Sequence, residues 1–148
     1  MFCAKNIDEN SIVERSSLIS DDVMIAANAH RGQADLVVCN PPYVPPGAGR
    51  VPPEARRAKA RQGDLNHFII AARLLLGRRG RACFVYPAHN LTGLLSMFRE
   101  AGLEPKRLRA VHAKAESPAR IVLIEAQAAK PGGLVIEAPL VEIPSADA

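Results

Sequence analysis

The sequence is poor in residues that mark several protein classes. It has no tryptophan, two tyrosines and four phenylalanines in 148 residues, so the position of each tyrosine is informative. Its three cysteines, Cys3, Cys39 and Cys83, are an odd count and lie far apart. With no Cys-x-x-Cys spacing they suit neither a disulfide scaffold nor a zinc ribbon, and reduced core thiols are expected. His30, His67, His89 and His112 show no metal-ligand spacing, so no metal is expected. No apolar run approaches the ~20 residues that span a bilayer, so no membrane span is expected. Met1-Phe2-Cys3-Ala4-Lys5-Asn6 lacks a basic stretch followed by an apolar core. It does not read as a secretory signal, and a cytoplasmic location is expected. Gly47-x-Gly49 lies in a proline-rich stretch with no helix start, so it is not a dinucleotide fingerprint.

What is present fits one ordinary domain: 48% hydrophobic and 23% charged residues exclude wholesale disorder. The net charge of +4 is modest but unevenly placed. Arg50, Arg56, Arg57, Lys59 and Arg61 crowd one stretch against a single Glu54. Two further clusters, Arg73, Arg78, Arg79 and Arg81, then Lys106, Arg107 and Arg109, read as solvated faces.

Periodicity places the elements. Ala4 to Asn10 reads as the end of a polar helix, Ser17–Ser20 as a short strand and Val23 to Ala29 as a helix. Asp35-Leu36-Val37-Val38-Cys39 is a continuous apolar run, the pattern of a strand buried on both faces. Residues 41–53 hold six of the twelve prolines and can only be a loop. Asp64 begins a helix to about Leu76, with Leu65, Phe68, Ile69, Ala72 and Leu76 on one face. Gly77 and Gly80 flank a turn into the strand Arg81–Tyr86. Asn90 caps a second helix with Leu91, Leu94, Leu95 and Phe98 on one face and Gly102 at its end. Lys106 to His112 and Ala119 to Ala126 have no helix between them and form an antiparallel pair. Leu134 to Ile143 reads as extended, and Ser145 to Ala148 as a frayed tail. The fold class is α/β: parallel strands with a C-terminal antiparallel hairpin at the edge. Ligands of such sheets bind beyond the carboxyl ends of the strands.

Asn40-Pro41-Pro42-Tyr43 stands at such an end. Placed directly after Asp35–Cys39, it resembles motif IV of the Rossmann-like S-adenosylmethionine-dependent methyltransferases that act on amino or amide nitrogens. An aromatic amino group is a poor nucleophile because its lone pair is delocalised into the ring. The resemblance makes Asn40 and Pro41 the acceptors of the two amino hydrogens, which positions the nitrogen and favours its pyramidal form. It makes Tyr43 a stacking platform, a contact worth ~1–3 kcal/mol per base. From Asp35 to Ile143 the chain resembles the bacterial tRNA(Val) adenine-N6-methyltransferase group. The shared features include Arg57-Ala58-Lys59-Ala60-Arg61, Phe84-Val85-Tyr86-Pro87, Gly102 to Arg107, Val122-Leu123-Ile124-Glu125-Ala126 and Pro139-Leu140. The release-factor glutamine methyltransferases share Asn-Pro-Pro-Tyr but follow it with a pattern that residues 44–80 lack.

The resemblance implies an S-adenosylmethionine cofactor and a tRNA partner. The basic cluster Arg50, Arg56, Arg57, Lys59 and Arg61 would contact its backbone. Asp22 resembles the acidic residue beside the cofactor's adenine, with Asp21 the competing candidate. A partial Rossmann-like methyltransferase sheet is expected, truncated at its N-terminus, because no Gly-rich turn opens a helix in residues 1–34. Residues 1–34 would then be loosely attached to a core of 35–143. The strand Asp35–Cys39 would be an uncovered edge prone to self-association, unless Ser17–Ser20 closed beside it. Two other readings stay open: a noncatalytic RNA-binding remnant or subunit, and a protein glutamine-amide methyltransferase.

Overall fold

A computed structural model of the chain describes residues 2–41 and 65–142. Its helices are α1 (Phe2–Glu9), α2 (Val23–Ala29), α3 (Leu65–Leu75) and α4 (Leu91–Glu100). Its strands are β1 (Ala34–Cys39), β2 (Leu76–Pro87), β3 (Glu104–His112), β4 (Ala119–Gln127), β5 (Val135–Ile136) and β6 (Leu140–Val141). Single 3-10 turns occupy Val13–Arg15 and Ala88–Asn90.

The sheet order is β1-β2-β4-β3-β5, with β6 also on β3. β1 and β2 are parallel, and β4 runs antiparallel to both β2 and β3. The expected closing pair therefore forms, but not as an edge. Its second strand, β4, inserts between β2 and β3, so the reversed strand is interior. The reason lies in the side chains: Val122, Ile124 and Ala126 are buried, and an interior position pairs the β4 backbone on both sides.

One face of the sheet carries the core. Ala82 and Phe84 of β2, Ile124 and Ala126 of β4 and Leu108 of β3 pack with Ile69 and Ala72 of α3 and with Leu94 and Phe98 of α4. Phe84 and Phe98 meet edge to face, ring centroids 5.0 Å apart, a favoured aromatic geometry. The period-2 alternation of the strands supplies this face. The residues between, Cys83, Val85, Leu123, Glu125, Arg107 and Arg109, line an open groove of about 340 Å³ on the other face, together with Val38.

The expectation that Asp35–Cys39 is buried on both faces needs correcting. β1 forms, but Leu36 is 50% and Val38 69% exposed. Among the described residues the helices cover only one face, and β1 ends the sheet. Ser17–Ser20 is not a strand. Leu18 and Ile19 are about half exposed, and an extended segment without a ladder partner leaves its backbone groups to water. α2 is attached more firmly than its neighbours in sequence. It packs on α3, Ala27 is fully buried, and Gly32 N–H donates to Leu74 O at 2.9 Å.

The expected turn at Gly77 to Gly80 is instead strand with an irregularity. Ala34 pairs with Leu76 but Leu36 pairs with Arg81, so the β2 residues between bulge outward. A Cβ at position 80 would lie 2.8 Å from Ala34 O, which explains the glycine. Asn90 precedes α4 as expected, yet its side chain makes no capping hydrogen bond; the 3-10 turn supplies the entry. At the other end Gly102 adopts φ +72° and Leu103 N–H reaches back to Phe98 O at 2.8 Å, a Schellman-type stop.

Candidate active site

The carboxyl ends of β1 and β2 lie side by side because the two strands are parallel with Cys39 opposite Phe84. β1 gives way to Asn40, which is exposed, and Pro41, which is fully buried. The pair is an anchor next to a free amide. Pro41 has its φ locked by the ring and its body packed. The Asn40 side chain has no hydrogen-bond partner among the described residues, so its oxygen is open to a ligand. β2 delivers Tyr86 and Pro87 to the same rim, and the turn Ala88–Asn90 follows with His89. In the sequence, Tyr86-Pro87 stands out only as a likeness. The signal that could have placed it at the site is that both parallel strands end on proline-containing segments.

Asp22 is the N-cap of α2, its Oδ1 accepting from Met24 N–H at 2.8 Å. No strand precedes it, so it is a helix cap rather than a strand-end carboxylate. Asp21 Oδ1 accepts from Asp22 N–H at 2.7 Å. The carboxyl end of α2 is tied near Leu74, which leaves Asp22 at the opposite end of that helix. Tyr43, Arg50, Arg56, Arg57, Lys59 and Arg61 lie outside the described residues.

The third basic cluster faces water, with Arg107 exposed, but its cations are paired. Arg107 Nε donates to Glu137 at 2.6 Å, Arg109 pairs with Glu137 at 2.6 Å, and Arg107 also approaches Glu125 at 3.8 Å. Arg81 reaches Glu125 at 3.7 Å, which completes an alternating row of five charges across the open face. Lys106 Nζ donates to the carbonyls of Lys130 and Gly132. The hydrogen bond from Arg107, then the charges of Arg107 and Arg109, hold the Glu137 carboxyl below its usual range. These pairs join strands distant in sequence, so only the register reveals them.

Cys39, at the end of β1, and Cys83, within β2, are free thiols. Burial pushes the Cys39 thiol up to about 11. Burial, then the Glu125 charge, also raises Cys83. Both favour the inert thiol. Among the described residues no group of three or more His, Cys, Asp or Glu side chains could hold a metal, and no helix is long and apolar enough to cross a membrane.

The fold is that of a Rossmann-like methyltransferase. A protein from Agrobacterium tumefaciens described as a predicted O-methyltransferase superposes with a TM-score of 0.69 at 17% identity. The match covers 95% of this chain and 62% of that one. A putative DNA modification methylase from Thermus thermophilus superposes with a TM-score of 0.52 at 18% identity, over 87% of this chain and 57% of that one. In sequence, the curated homologues are tRNA1(Val) (adenine(37)-N6)-methyltransferases. The protein of that name from Shewanella loihica is 30% identical over 112 residues, which are 69% of this chain and 44% of that protein. The one from Enterobacter sp. strain 638 is 33% identical over 89 residues, or 59% of this chain and 36% of that one. The chain thus spans about half the length, or less, of the curated relatives it matches. No family model matches it.

The described residues fit the cofactor implied by this fold only in part. Asp22 offers a carboxylate of the kind that accepts from an adenine amine. A glycine-rich cradle for the methionine moiety is not among them. Gly32 is the only glycine in residues 2–41, and it lies at the amino end of β1, opposite Asn40.

Proposed function

We propose that this chain is the acceptor-binding part of an S-adenosylmethionine-dependent methyltransferase that acts on the N6 amino group of an adenine in tRNA. The carrying observation is the exposed Asn40 amide beside the buried Pro41 at the carboxyl end of β1. The relatives support it through their names, which specify an adenine N6 in a tRNA. No relative favours the glutamine-amide alternative.

On this reading the Asn40 side-chain oxygen and the Pro41 carbonyl take one amino hydrogen each. Adenine N6 then loses conjugation with the ring and directs its lone pair outward. The contribution is positional and electrostatic, made by acceptors fixed before the substrate arrives. Tyr43 stacks on the base, which must be unpaired or flipped out. Arg50, Arg56, Arg57, Lys59 and Arg61 meet the phosphates. Asp22 receives the cofactor's adenine amine. The chain works in the cytoplasm, and its open β1 edge pairs with another copy. The exposed Leu36 and Val38 support that last point, because an unprotected apolar edge strand is a template for pairing.

The test is to titrate the chain with S-adenosylmethionine by calorimetry, then to assay methyl transfer to tRNA lacking the modification. The expected product is N6-methyladenine in the tRNA. tRNA binding with no cofactor binding at millimolar concentration would leave a noncatalytic RNA-binding chain.

A further inference from the structure

From Arg31 onward the described arginines divide into two sets. Arg81, Arg99, Arg107, Arg109 and Arg120 each have a carboxylate within 4 Å. Arg31, Arg73, Arg78 and Arg79 have no carboxylate partner among the described residues. These four are gathered in one place, Arg31 also donating to Asn28 Oδ1 at 3.0 Å; Arg15, likewise without a carboxylate partner among the described residues, lies before α2. Arg31 precedes β1, next to Gly32, whose N–H bonds Leu74 O. Arg73 is in the last turn of α3. Arg78 and Arg79 sit in the β2 bulge opposite the start of β1, and both are exposed. Asp35, on the same rim, pairs with none of them.

Helix dipoles account for part of this pattern, because cations favour the carboxyl ends of helices. That explains Arg31 after α2 and Arg73 in α3. It does not explain Arg78 and Arg79, which belong to a strand. Their bulge is closely built. A Cβ at position 77 would lie 3.1 Å from Gly32 O, and one at position 80 would lie 2.8 Å from Ala34 O. Both glycines of Gly77-Arg78-Arg79-Gly80 are thus held against the β1 backbone, and the two arginines between them face water.

We propose that this amino-terminal rim of the sheet is a second phosphate-contacting surface for a structured RNA. Six β1 residues at a ~3.3 Å rise separate it from Asn40 by about 20 Å. An RNA whose base enters at Asn40 would have to continue along the helical layer to reach the rim. Unpaired guanidiniums suit this task, since they offer forked donors to phosphate oxygens without first breaking an ion pair. The contacts position the RNA and carry no base specificity. The choice of tRNA as the RNA rests on the proposed function; the basic rim does not.

The experiment measures affinity for tRNA by fluorescence anisotropy across a salt series. It compares the chain with R78A/R79A, the charge-conserving R78K/R79K, and K5A/R15A, which removes two cations elsewhere. Melting temperature controls for folding. The expected result is a ~10-fold or greater loss for R78A/R79A, with the logarithmic salt slope reduced by about 2. R78K/R79K should stay within a few-fold of the parent, and K5A/R15A should change little. Equal losses in R78A/R79A and K5A/R15A would reduce the effect to net charge and overturn the proposal. So would unchanged binding by R78A/R79A, or equal, arginine-dependent binding to phosphatidylserine vesicles. Cofactor titration and methyl transfer read the methyltransferase assignment separately, so either reading can fail alone.

Discussion

The two faces of this sheet are built from alternate residues of the same strands, yet they differ sharply. On the helix-covered face, Phe84 is 1% and Ile124 2% exposed. On the other, Val38 is 69% exposed, and Cys83, Val85 and Leu123 line a groove with five alternating charges. The covered face is a finished core. The open face mixes apolar side chains with these charges and has no cover among the described residues. The relatives are about twice as long as the matched region, and the structural neighbours extend well beyond it. Stability in this chain should therefore be one-sided, and function should concentrate on the rim where the covered strands end.

The largest effect that can break this comparison comes from truncating one residue on each face. Phe84→Ala should cost about 3–5 kcal/mol, the range for an aromatic lost from a packed core. Val85→Ala, its neighbour on the open face, should cost under about 1 kcal/mol. Denaturant unfolding of both variants decides the point, and equal costs would mean that the open face is covered in solution. Next comes the edge. Leu36→Lys with Val38→Lys should leave the unfolding midpoint nearly unchanged but abolish any concentration-dependent association, read by sedimentation velocity. Association that survives would move the contact away from β1.

Limited proteolysis sharpens the division along the chain. The first cuts should fall before Asp22, and the segment from α3 to β4 should persist. α2 should stay with the core, held through Ala27. First cuts inside residues 65–126 would contradict this.

The smallest effect concerns acid. The Glu137 carboxyl is held below its usual range, first by the Arg107 hydrogen bond and then by the Arg107 and Arg109 charges. A lowered folded-state value contributes stability above the unfolded value, near pH 4, which is lost as pH falls through the folded one. Amide protection at Val135 and Ile136 should therefore decline below about pH 4 while that of β2 holds. Glu137→Gln should remove the pH dependence.

Much of the fold was legible because its signals are local. The run Asp35–Cys39, the spacing of Leu94 and Phe98, the glycine stop at Gly102 and the helix-free link from β3 to β4 each depend on neighbours in sequence. The misses needed knowledge of partners. Ser17–Ser20 has strand-like residues, but nothing in the described structure pairs with it. Continuous apolar character in β1 said that both faces could be buried, not that both are. The insertion of β4 and the Arg107–Glu137 pairing are matters of register between distant segments. At the candidate site, the end of β1 before Asn40 and Pro41 was legible, because proline chemistry and strand ending coincide there. The placement of Tyr86 at the adjacent strand end was not, since it depends on β1 and β2 being parallel neighbours.

The most direct test is Asn40→Ala in the methyl-transfer assay, with tRNA affinity measured alongside. The result expected is a loss of transfer of at least about 100-fold, the scale for removing one preorganised polar contact to a reacting group, with tRNA affinity within a few-fold of the parent. Transfer that persists in Asn40→Ala at the parental rate would contradict the assignment of Asn40 as the acceptor that holds the adenine amine.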